Sequence, residues 1–168
     1  FGSLTWTDAS RLAGGAYACA SDDMWTFTLF GTRCLANNGT DAMQTFLIDS
    51  ASNFSALGGS SPDGARFLAV VRDFVVAARM PTARKRVQWC AINDPTDWIA
   101  SASTMADQQD LPDGDWITGL VGGEYGIVFQ ENAIRRMTFV GSPLIFQFDK
   151  ISNELGAIIS GSIAALGD

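Results

Sequence analysis

The feature that most constrains this chain is a weak internal repeat of hairpin-like units. In each unit a short apolar run enters a turn and returns as a second apolar run. Counted from Leu29, Val70, Leu120 and Ala165, successive units lie 41, 50 and 45 residues apart. This spacing is typical of the blades of a β-propeller, which repeat at about 40 to 50 residues. The sequence segments that form the hairpins are 27–36, 68–77, 117–129 and, cut off by the end of the sequence, 162–168.

A polar turn follows each complete hairpin and leads to a third apolar run, at 43–48, 86–92 and 134–140. A meandering antiparallel blade requires this order. We therefore predict an all-β fold, a partial propeller-like array of antiparallel blades, with a β-sandwich as the alternative because sandwiches also show short, regularly spaced strands. Residues 1–24 are predicted to connect to this domain, and residues 25–168 to form it as part of a longer chain.

Two kinds of apolar pattern predict how deeply the strands are buried. Alternation at Trp25 to Leu29, at Val87 to Ala91 and at Leu144 to Phe148 predicts strands with one buried face. Continuous runs around Val75 and Val128 predict strands covered on both faces. A short helix is expected only around 101–109.

Composition excludes several classes of function. The chain has no histidine, which removes histidine-based catalysis and imidazole metal sites. Its formal net charge of -7 is the opposite of what a tight nucleic-acid binder carries. Cys19, Cys34 and Cys90 are odd in number and far apart, so we interpret them as buried, reduced thiols. No apolar stretch is long enough to predict a membrane-spanning helix. We expect a soluble protein that is not an enzyme and has no cofactor, metal or catalytic residue.

Two acidic strings allow both structural and functional interpretations. In the string Asp94, Pro95, Thr96, Asp97, Trp98, a capped turn with an aromatic anchor explains the pattern, and carbohydrate stacking on Trp98 is the alternative. Further along, Asp110, Asp113 and Asp115 could hold a calcium ion, but their spacing does not fit a known calcium loop.

The one basic cluster, in an otherwise acidic chain, lies at a predicted hairpin tip. It consists of Arg79, Arg84, Lys85 and Arg86. A solvated turn would explain it. The functional alternative is a docking contact with acidic protein surface or with DNA phosphate, because arginine suits planar, bidentate contacts.

Three segments carry a resemblance to a known family: 87–98, which ends in Asp-Pro-Thr-Asp-Trp; 119–129, a glycine-rich hairpin; and 132–137, which contains Ile-Arg-Arg-Met. They resemble segments of the β-propeller-bearing nozzle, or tubular tail, proteins of short-tailed double-stranded DNA bacteriophages. The match covers roughly residues 25–155. Members of that family are much longer than 168 residues, which implies that this chain is a fragment or a small relative.

The resemblance implies a structural role in the virion tail for a protein made in the host cytoplasm. It implies a homo-oligomer, a hexameric ring, that meets the portal-adaptor and other tail proteins and lets double-stranded DNA pass without sequence-specific binding or membrane insertion. An acidic wall would repel the phosphates of the passing genome. Two other functions stay open: a ligand-binding module, such as one that binds carbohydrate in host attachment, and a histidine-free hydrolase that uses two carboxylates.

Overall fold

Twelve β-strands form three antiparallel sheets of four in the computed structural model, which describes residues 6–50, 52–152 and 154–164. Each sheet is built from consecutive strands of the chain, and none closes into a barrel. The first sheet holds β1 (Thr26–Phe30), β2 (Arg33–Asn37), β3 (Gln44–Leu47) and β4 (Ser55–Ala56). The middle sheet holds β5 (Phe67–Val71), β6 (Phe74–Met80), β7 (Ala83–Trp89) and β8 (Asp107–Asp110). The third sheet holds β9 (Ile117–Val121), β10 (Gly126–Gln130), β11 (Ile134–Gly141) and β12 (Ile145–Ser152).

The prediction of an all-β fold is confirmed, and the strands follow the repeat read from the sequence. The three hairpins are β1–β2, β5–β6 and β9–β10, and the third apolar run of each unit becomes β3, β7 or β11. The arrangement is consistent with blades set side by side and with a sandwich. Of the fourth unit, residues 162–164 form no strand and the rest lies outside the described residues.

The first strands of the sheets lie next to one another, β1 beside β5 and β5 beside β9. Backbone hydrogen bonds join the middle and third sheets at this edge. Gly123 donates its amide hydrogen to the oxygen of Val70 at 2.9 Å, and its own oxygen accepts one from Arg72 at 2.9 Å. The turn between β9 and β10 is thereby fixed to the end of β5.

The core lies on both sides of the middle sheet. Between the middle and third sheets an aromatic cluster has edge-to-face contacts, with ring centroids 5.1 Å apart for Phe74 and Phe146 and for Trp89 and Phe146. Leu35 of β2 and Met43, which directly precedes β3, are fully buried in the same core. Both Val75 and Val128 are fully buried, as the sequence predicts.

The burial predictions hold for β6 and fail in part elsewhere. β6 is buried along almost its whole length because it lies in the middle sheet. β10 instead alternates, with Ile127 and Phe129 only half-buried between buried neighbours. In β1 the expected buried face is wrong: Phe27 and Leu29 are 58% and 61% exposed.

The expected helix at 101–109 is also wrong. Ser101 and Ala106 pair as an isolated antiparallel bridge across a turn, and Asp107 begins β8. Residues 107–110 pair with β7, and the amide of Ser101 donates to the oxygen of Ala106, so tertiary pairing overrides the local pattern. The described part of the chain has no helix that is long and apolar enough to cross a bilayer.

Candidate interaction surface

Arg79 lies at a β-bulge in β6. The register of β6 against β7 runs from Ala78 directly to Met80, so Arg79 takes no partner in the ladder. Its φ is +58°, a left-handed conformation that costs energy in a residue with a side chain. Bulges re-aim side chains. In this protein the residue at the bulge is Arg79, and its side chain lines a cleft at the end of the middle sheet.

The Arg79 guanidinium is held by neutral groups. Its Nη1 donates hydrogen bonds to the oxygen of Ile117 at 3.2 Å and to the Ser160 hydroxyl at 3.0 Å. Burial lowers the pKa of Arg79, and the positive charges of Arg66 and Arg84 lower it further. The structure therefore crowds three cations at this point.

The cleft has a volume of about 380 Å³ and an indole on its wall. The Arg84 guanidinium carbon lies 4.0 Å from the ring centroid of Trp116, close enough for a cation–π contact. Arg66 forms an ion pair with Asp23 at 3.4 Å. Among the described residues, no carboxylate lies within ion-pair distance of Arg79 or Arg84.

The predicted basic cluster is split by the structure. Arg79 and Arg84 line the cleft. Arg86 instead pairs with Asp110, its Nε at 2.6 Å and its Nη2 at 3.0 Å from the two carboxylate oxygens. Lys85 lies 3.8 Å from an oxygen of Asp115. Arg86 therefore links β7 to β8, and Lys85 links β7 to the loop that follows β8.

Asp94 to Trp98 form a hydrogen-bonded turn in the structure. Asp94 accepts hydrogen bonds from the amide and hydroxyl of Thr96 at 2.9 and 2.6 Å, and these bonds lower its pKa. Asp97 accepts one from the amide of Ile99 at 3.0 Å. Trp98 is only 2% exposed and donates its indole hydrogen to the oxygen of Pro95. Carbohydrate therefore cannot stack on Trp98.

The three carboxylates proposed as a calcium alternative have separate partners. Asp110 pairs with Arg86, Asp113 with Arg135 and Lys150, and Asp115 with Lys85 and the amide of Asn132. The described residues contain no group of three or more acidic or cysteine side chains placed to hold a metal ion. This loop is neutralised by cations of the chain itself.

Two buried residues that the sequence analysis missed hold that loop. Gln130 is fully buried and donates hydrogen bonds to the oxygens of Asp113 and Asp115 at 2.7 and 2.8 Å. Its side-chain oxygen accepts one from Nε of Arg135 at 2.9 Å. We refer to Gln130 and Arg135 as the loop latch. A glutamine at the end of an apolar run was its only signal in the sequence.

The outer face of the first sheet carries an aromatic groove. Phe54 stacks on Phe46 with centroids 5.2 Å apart and meets Phe27 edge-on at 6.5 Å. Residues 7–10 and Tyr17 form the other wall of a cavity of about 420 Å³. The N-terminal segment is attached there by a hydrogen bond from the amide of Phe54 to the oxygen of Ala9. Leu29 does not line this cavity and is exposed.

The thiols differ from one another. Cys90 is buried, Cys34 half-buried and Cys19 exposed, so the prediction of burial is wrong for Cys19. Burial raises the pKa of Cys90 to about 12 and raises that of Cys34. The three cysteines remain free thiols.

The chain matches no protein-family model and no curated protein. The resemblance to phage tail proteins therefore rests on the three sequence segments alone.

Proposed function

We propose that this chain is a non-enzymatic structural component of a bacteriophage tail, part of the nozzle or tubular tail, and forms part of a ring around the DNA exit conduit. In this proposal copies of the chain assemble with one another, as a hexameric ring, and with the portal-adaptor and other tail proteins in the virion.

The observation that carries the proposal is the difference between the three sheets. In the middle sheet β6 is buried along almost its whole length, whereas the outer two sheets each leave large apolar side chains exposed. Phe27 and Leu29 are exposed on the first sheet, and Val140 and Ile151 on the third. An exposed apolar sheet face is typical of a surface that packs against another protein.

Charge supports passage of DNA without binding. The formal charge of -7 repels phosphate, and most of the described cations are already paired with carboxylates of the same chain. A conduit needs such a surface because attraction to the backbone would retard the genome.

Self-assembly can be tested through the exposed face of β1. We expect sedimentation velocity to show oligomers of the wild-type chain and a monomer for the double variant Phe27→Ser with Leu29→Ser, with an unchanged melting temperature. Leu144→Ser is the matched control, because Leu144 is as exposed (65%) but precedes β12 in a turn. It should assemble normally.

The place in the virion needs a separate measurement. Mass spectrometry of purified particles should detect the chain at a constant copy number, and an image of the particle should locate it in the tail. A wild-type chain that remains monomeric beside its purified tail partners, or particles that lack the chain, would contradict the proposal.

A further inference from the structure

Three arginines surround the cleft beside Trp116. Arg66 belongs to the segment before β5, Arg79 to the bulge of β6 and Arg84 to β7, and Asp22 and Asp23 supply the only carboxylates of its described lining. The lining therefore has one net positive charge in a chain whose formal charge is -7. Glu131 lies near enough to act on the charge of Arg79 without forming an ion pair with it.

The arrangement leaves guanidinium donors without an anion. Arg79 uses Nη1 for Ile117 and Ser160, and no described group accepts a hydrogen bond from its Nε or Nη2. Arg84 makes no hydrogen bond with any described residue and has only the indole of Trp116 beneath it. Like charges brought together and partly removed from water raise the free energy of the folded state, and a bound anion would lower it.

The backbone at the cleft is also strained. Arg79 has a left-handed φ although it is not a glycine, and the amide of Arg66 donates to the oxygens of both Ala78 and Arg79 across the bulge. Such conformations persist where the surrounding structure fixes them and cluster at binding sites. The bulge therefore places Arg79 outside the regular pairing of β6 with β7, in a position that a residue of a regular strand would not take.

We propose that this cleft binds the carboxylate of an acidic side chain presented by a neighbouring protein, between the guanidinium groups of Arg79 and Arg84 and against the exposed edge of Trp116. The proposal goes beyond the function above, because it concerns a site on the isolated chain whether or not the chain belongs to a tail.

Charge favours a carboxylate over DNA. One net positive charge in the lining matches a single carboxylate, whereas a nucleic-acid strand brings a charge with every nucleotide. Asp22 and Asp23, which also line the cleft, would repel the next phosphates of a strand. Arginine forks bind carboxylates through two parallel hydrogen bonds, so the geometry needs no metal or cofactor.

The test is a titration followed by ¹H–¹⁵N NMR of the Trp116 indole, assigned with Trp116→Phe. The probes are the capped tripeptide acetyl-Gly-Glu-Gly-amide and its glutamine counterpart, which differ by one charge. We expect the glutamate peptide to shift the Trp116 signal saturably at millimolar concentration, and the glutamine peptide to leave it unchanged.

Arg84→Gln should weaken binding of the glutamate peptide by about tenfold, the loss expected when one charge-assisted hydrogen-bonding partner is removed. We expect Arg84→Gln to fold like the wild type, because the Arg84 side chain makes no hydrogen bond with any described residue. Arg136→Gln is the matched control: Arg136 also lies over an aromatic ring, 5.5 Å from the centroid of Tyr125, but outside the cleft. The Arg136→Gln variant should bind the glutamate peptide with the affinity of the wild type.

Three results would overturn the proposal. They are an equal response to both peptides, unchanged affinity in Arg84→Gln, and tighter binding of oligothymidine than of the glutamate peptide at the Trp116 signal, which would make the cleft a phosphate site. None of these bears on whether the chain occurs in virions, so failure here and failure of the tail proposal are distinguishable.

Discussion

Single residues fix the contact between the middle and third sheets. A Cβ on Gly122 would overlap the backbone oxygen of Val70 and would lie 2.9 and 3.0 Å from the carbonyl carbon and the amide nitrogen of that residue. Backbone cannot move aside as a side chain can. The hydrogen bonds of Gly123 with Val70 and Arg72 depend on this close approach.

Gly122→Ala should therefore destabilise the protein by about 1–3 kcal/mol, the usual cost of overpacking, measured by urea unfolding. Gly31→Asn is the control, because nothing lies within 4 Å of a Cβ at Gly31 and asparagine tolerates its φ of +58°. Its stability should stay within about 0.5 kcal/mol of the wild type. A tolerated alanine at Gly122 would mean that the two sheets do not approach as described.

Cys90 should make stability depend on alkaline pH. Its pKa rises from 9.0 to about 12 on folding because the thiol is buried. The unfolded chain therefore loses this proton first as the pH rises. The stabilisation is fully present below pH 9 and is lost progressively as the pH approaches 12.

Chemical unfolding at several pH values should show this decline in the wild type and a smaller one in Cys90→Ala. In the native protein at neutral pH a thiol reagent should modify the exposed Cys19 quickly and Cys90 only after unfolding. Rapid modification of Cys90 in the folded protein would show that the core around β7 opens readily.

At the scale of elements, the loop between β8 and β9 depends on the loop latch. Gln130→Ala removes two hydrogen bonds to that loop and leaves the buried Nε of Arg135 without its acceptor. We expect a loss of about 2–3 kcal/mol in the free energy of unfolding. Asn132→Ala, which removes an exposed hydrogen bond to the same loop, should cost at most about 0.5 kcal/mol. Equal effects would contradict the assignment of the latch.

At the scale of the whole molecule, stability should fall from the middle sheet outwards, because the strands of both outer sheets make their larger inter-sheet contacts, among the described residues, with the middle sheet. Hydrogen exchange measured by NMR should find the slowest amides in β6 and faster ones in β1 and β12. Uniform protection across the three sheets would show that they unfold as one unit.

Sequence periodicity predicts most of the fold, because strand identity depends on local alternation and turns. The three hairpins and the buried Val75 and Val128 are accordingly correct. Which face of β1 is exposed depends on the order of the sheets in space, so Phe27 could not be placed from the sequence. The cleft also escapes prediction: Arg79 meets Arg66 and Trp116 only through a bulge and through packing of separate sheets.

The exposed apolar faces and the arginine cleft should respond to ionic strength in opposite directions. At about 0.15 M salt the screening length is about 8 Å, so added salt weakens the mutual repulsion of copies that each carry a charge of -7. Contacts through Phe27 and Leu29 would then strengthen, whereas capture of a carboxylate by Arg84 would weaken. Salt concentration therefore selects which of the two surfaces governs association.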